Sequence, residues 1–128
     1  MIFLVAAFLT AQAASDQPIT AVVHAPHSIM PAIESYVDCL NRAELRLSQA
    51  AGPLHANAWR GLVEQARVEC AGVRLWARAN ALKEIEADAS VIASQREETV
   101  DAALGNVDES DDMFLRELER REKAGDYK

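Results

Sequence analysis

Two cysteines, Cys39 and Cys70, are the only thiols in the chain, and a Gly52-Pro53 pair lies close to the midpoint between them. Proline removes a backbone N–H and clashes with the preceding turn, so Gly-Pro reads as a helix stop. If the segments on either side are antiparallel helices, residues at one level have a nearly constant sum of numbers. The cysteine pair then puts the turn between Leu54 and His55, within two residues of the Gly-Pro signal. The same relation pairs Ala43 with Ala66, Tyr36 with Val73 and Leu47 with Leu62. Helical periodicity alone assigns all six to inward faces. The spacing therefore predicts a Cys39–Cys70 disulfide stapling an antiparallel helical hairpin.

A staple has a reason to exist here. Half of the residues are apolar but many are alanine, and only 5% are aromatic. Alanine buries little area, so the core of a 128-residue domain is thin. Closing this loop contributes about 3–4 kcal/mol in the chain-entropy account. Packed helices usually sit 8–10 Å apart, and a disulfide needs its Cα atoms closer. Small neighbours are therefore required, and Ala43, Ala66, Ala71 and Gly72 are expected to supply them. The other uses of paired thiols fit less well. A redox pair typically takes C-x-x-C, which is absent. His24, His27 and His55 do not stand at zinc spacing with the cysteines.

The first residues, MIFLVAAFLTAQAA, read as a secretory signal. Ile2 to Leu9 is an apolar stretch of the right length, and Ala11-Gln12-Ala13 is an A-x-A site, so cleavage is expected after Ala13. No Lys or Arg precedes the apolar stretch. It is too short to span a bilayer as a helix. The expected compartment is a bacterial periplasm, which is oxidising and lets paired cysteines bond.

The domain reading is a signal peptide at 1–13, an extended lead-in at 14–27, one helical domain at 28–124 and a frayed tail at 125–128. In the lead-in, Ile19, Val22 and Val23 are expected to drape over the helices. Ser28 is expected to cap a first helix, with Pro31 in its first turn. Its apolar face is Ile33, Tyr36, Val37, Leu40, Ala43, Leu47 and Ala50. A second helix from about Leu54 to about Asp88 carries Trp59, Leu62, Val63, Ala66, Cys70, Val73, Ala77 and Ala81 on one face. Gly72 suggests close approach of a neighbouring backbone. Ser94 and Glu97 fit a capping box at the start of a third helix reaching about Lys123. Val100, Ala103, Leu104, Val107, Phe114, Leu115 and Leu118 form its apolar pattern. The fold class is all-α: a stapled hairpin plus a third long helix.

Arg60, Arg67 and Arg74 are seven apart, and Arg78 follows four later, which makes a basic stripe on the second helix. Charge stripes are commonly paired inside the fold, here with Glu97, Glu98, Asp101 and Asp108 of the third helix. Alternatively the stripe is a partner-binding face for an acidic protein. Asp108, Glu109, Asp111 and Asp112 lack the D-x-D-x-D-G spacing of a calcium loop. His24 and His27 alone are a weak metal signal. Trp59 and Trp76 read as packing residues, and His55 as part of the cover at the end of the hairpin.

A formal net charge of −7 argues against nucleic acid and against an anionic membrane surface. No G-x-S-x-G, H-E-x-x-H or glycine-rich phosphate loop is present. No catalytic residue, metal or cofactor is expected. The segment YVDCLNRAE at 36–44, with a later cysteine on a second helix, resembles small periplasmic helical domains of the lysozyme-inhibitor type over about residues 36–76. That resemblance implies an exported, disulfide-pinned inhibitor. The expected role is a non-catalytic binding or accessory protein of the periplasm, with an unknown protein partner. A lysozyme inhibitor or a weak metal binder are the alternatives, and self-association through the third helix is open.

Overall fold

The computed structural model describes residues 24–52 and 55–125. The expected signal peptide, residues 14–23 of the lead-in, Pro53, Leu54 at the expected start of the second helix and the last three residues of the tail lie outside them.

Among the described residues the protein is all-helical, with four α-helices: α1 (Met30–Ala51), α2 (Ala56–Glu69), α3 (Ala71–Ile85) and α4 (Arg96–Ala124). Short 3-10 turns at His27–Ile29 and Ala93–Gln95 lead into α1 and α4. No described helix is long and apolar enough to cross a membrane. Cys39 and Cys70 are disulfide-bonded, with Cα atoms 6.0 Å apart.

α1 begins with Pro31 in its first turn, where a missing N–H is no loss. Ser28 does not cap it. The serine sits in the 3-10 turn, and its hydroxyl donates instead to Asp88 Oδ2 at 2.6 Å, tying the entry of α1 to the end of α3. α1 stops at Gly52, whose φ of 75° is open to glycine. The capping box at the start of α4 does not form either. Ser94 falls within the preceding 3-10 turn, and no side chain caps this end. α4 then runs unbroken through Gly105 and the acidic stretch, and Gly125 closes it in the left-handed conformation.

The expected second helix is two helices. The backbone at Cys70 leaves helical values (φ −95°, ψ 5°), so the break falls on the stapled residue itself. Cys70 N–H closes α2 on Ala66 O and Arg74 N–H opens α3 on Cys70 O, both at 2.9 Å, and no backbone hydrogen bond among the described residues spans the break. α3 thus starts one residue after α2 ends.

The core lies where the apolar faces meet. Ile33, Tyr36, Leu40 and Ala43 of α1 are buried, with Ala66, Cys70, Ala77, Ala81 and Ile85 of α2–α3 and Val100, Ala103, Leu104 and Val107 of α4. Ala50, expected on the inner face, is exposed. Links along α1 descend on the other side: Ser28 meets Asp88, Tyr36 meets Arg74, Cys39 meets Cys70 and Arg46 meets Glu69. Ala43 and Ala66 are buried near the disulfide, as a close approach requires. Ala71 and Gly72 are not spacers. Both are exposed, and a Cβ built on Gly72 would meet nothing within 4 Å.

Candidate functional site

The arginine stripe of α2–α3 faces α4. Arg60 pairs with Glu119, and Arg67 reaches Asp112 Oδ1 at 3.2 Å and the Asp108 carbonyl at 2.5 Å. Arg74 donates twice to Asp108 Oδ2, at 2.9 and 3.2 Å. Arg78 donates to Asp101 and to Glu97, each at 2.8 Å. All four arginines are thus engaged within the chain. Glu98 has no ion pair among the described residues, while Glu119 and Asp112 take part although they were not among the stripe's expected partners.

Asp108 is the junction of this interface. Its second oxygen accepts from the Tyr36 hydroxyl of α1 at 2.5 Å, and the Arg74 guanidinium sits 5.8 Å above the Tyr36 ring. Burial, then the bond to Asp108, holds the Tyr36 phenol well above its ordinary range. One carboxylate therefore ties α1, α3 and α4 together. At the far end, Trp59 stands edge-on to Phe114 at 5.4 Å. Glu122 accepts from the Ala56 N–H at 2.8 Å, which satisfies an orphan donor at the start of α2. His55 Nδ1 lies 3.5 Å from the same oxygen.

A second polar feature went unseen in the sequence. Glu44 of α1 and Asp111 of α4 act on each other electrostatically. Glu44 Oε1 and Asp111 Oδ2 are buried with no hydrogen-bond partner among the described residues. Burial, then the Asp111 charge, pushes Glu44 up to about 8, against a smaller downward pull from Arg67. Burial also raises Asp111, opposed by Glu44 and Arg67. Each acid occupies an ordinary helix position in the sequence, so only their meeting across α1 and α4 distinguishes them.

The remaining feature is apolar and exposed. A groove of about 420 Å³ opens between α1 and α3 beside the disulfide, bordered by Asp38, Arg42, Val73 and Trp76. Next to it, on the outer face of α2–α3, Val68, Leu75 and Trp76 are 76%, 69% and 53% exposed. Exposed Ala71, Gly72 and Ala79 fill the space between them. Trp76, read from the sequence as packing, is therefore a surface residue, whereas Trp59 does pack. Monomeric proteins seldom leave a contiguous apolar strip of this kind uncovered. Among the described residues, no group of three or more His, Cys, Asp or Glu is placed to hold a metal ion. His24 and His27 are both exposed.

No protein-family model matches the chain, and neither a curated protein nor a solved structure matches it.

Proposed function

We propose that this chain is an exported, non-catalytic binding or accessory protein that meets its partner through the outer face of α2–α3. In this reading a signal is removed after Ala13 and the mature protein works in the periplasm. α1 and α2–α3 form an antiparallel hairpin stapled by the disulfide, and α4 is clamped across it by the arginines. The exposed Val68, Leu75 and Trp76 carry the proposal. Three large apolar side chains cost solvation where they stand, in a protein whose core is made largely of smaller ones. The disulfide supports the choice of an oxidising compartment.

The test is site-specific photocross-linking of the full chain expressed in an exporting bacterial host. A photoreactive residue replaces Leu75 in one variant and the exposed Glu109 of α4 in another. An adduct from position 75 and none from position 109 is expected. Equal or absent adducts would sink the contact face. The intact mass of the mature protein tests export separately: cleavage after Ala13 together with loss of two hydrogens is expected, and a full-length reduced species overturns it.

A further inference from the structure

The outer face of α2–α3 has a pattern that restricts what can lie on it. Val68 lies at the end of α2, and beyond the break at Cys70 Gly72, Leu75 and Ala79 of α3 follow it at spacings of four, three and four, the spacing of a coiled-coil seam. All four are exposed. Gly72 is the odd member. A glycine inside a helix destabilises it relative to alanine. Nothing among the described residues requires it, because a Cβ there would meet open space.

The seam complements itself when reversed. About the midpoint between Val73 and Arg74, Gly72 is the mirror position of Leu75, and Val68 that of Ala79. An antiparallel copy therefore sets a large side chain against a small one in both layers, the arrangement that interdigitates. A parallel copy would set Gly72 on Gly72 and Leu75 on Leu75, leaving a gap and a clash. The ends agree. Glu64 and Lys83 are mirror positions on the exposed flank, and neither has an ion-pair partner among the described residues. Antiparallel pairing brings the acidic end of each copy to the basic end of the other. Parallel pairing stacks like on like.

We infer that the partner of this face is a second copy of the same chain, docked antiparallel with Leu75 of each protomer over Gly72 of the other. This rests on the reading of the face as a contact surface and names its occupant. The contact is isologous, so it closes at two copies. Trp76, exposed next to Leu75 in the chain, borders the groove beside the disulfide.

Sedimentation of the purified, oxidised mature protein tests this over a concentration series. A concentration-dependent dimer is expected. Leu75→Glu should remove it while the circular dichroism stays native, because Leu75 is 69% exposed and contributes little to the fold. Charge reversal gives a second test that does not touch the seam. Glu64→Lys alone or Lys83→Glu alone should weaken the dimer about two- to fivefold at low salt, and the double reversal should restore it. A dimer that survives Leu75→Glu, or a double reversal no tighter than the singles, overturns the proposal. If the wild type stays monomeric while position 75 still yields an adduct with another protein in cells, the second copy is wrong and the contact face stands. If neither is seen, both fall.

Discussion

The hydroxyl of Tyr36 donates to Asp108 at 2.5 Å, joining α1 to α4 at the point where Arg74 also grips the same carboxylate. A buried aromatic ring, an acid and a guanidinium thus satisfy one another at the edge of an alanine-rich core. Tyr36→Phe removes one bond and leaves the packing, and should lower unfolding free energy by about 1 kcal/mol. Asp108→Ala strips both partners and should lower it by about 2 kcal/mol, since bonds to charged groups are worth more. Urea denaturation followed by circular dichroism measures both, and equal effects would deny Asp108 its junction role.

The disulfide should be the largest single contributor among the covalent and polar links. Cys39 and Cys70 are 31 residues apart in sequence. Replacing both by serine should lower stability by about 3–4 kcal/mol. The melting temperature with and without reductant gives the same comparison, and an unchanged value would contradict it.

Stability should fall as the solution turns alkaline. Glu44 is pushed up to about 8 in the folded protein, above the ordinary carboxylate range, because burial and Asp111 favour its protonated form. The folded state therefore binds more protons than the unfolded state between those values, and stability decreases with rising pH in that window. Its contribution is complete below the unfolded value and lost as pH passes the folded one. Asp108 and Asp112 add like charge beside Asp111, and Arg67 opposes them. Glu44→Gln removes the titrating group and should flatten the pH profile of the melting temperature between pH 5 and about 8. An unchanged slope would rule out a proton held on Glu44.

The rungs of the arginine ladder should not be equal. Arg78 pairs with Glu97 and Asp101, whose side chains are 75% and 49% exposed. Arg78→Ala should therefore leave stability almost unchanged, and molar salt should erase what difference remains. A large, salt-independent loss would mean that packing of its stem matters instead.

Much of this architecture can be read from residue spacing. The two cysteines, the Gly-Pro stop and the inward periodicity converge on one pairing, and Cys39–Cys70 forms. The arginine period predicts a partner helix, and the acids of α4 meet it. Local caps were less legible, because Ser28 and Ser94 each have another use or another conformation available. The break at Cys70 leaves almost no trace in sequence, since it occupies a single residue between two helices. Glu44 and Asp111 look like solvated helix acids until the third dimension brings them together. The outer seam was legible in principle. Gly72 was read as accommodating a neighbour within the chain, whereas the space beside it is open.

The arginine ladder also leaves an ambiguity that other residues must remove. Its seven-residue repeat would only half tolerate slippage of α4 by two turns. After such a slip Asp112 would still answer Arg60, and Asp101 would answer both Arg74 and Tyr36. Arg67 and Arg78 would instead find Gly105, Ser94 and Ser90 where Asp112, Asp101 and Glu97 now stand. Three further contacts do not survive the shift. Val107 would arrive where Phe114 meets Trp59, Leu115 where Glu122 caps Ala56, and Leu104 where Asp111 faces Glu44. Two rungs of the ladder and these three non-repeating contacts together set the register, so a helix rich in interchangeable acids still has one place to stop.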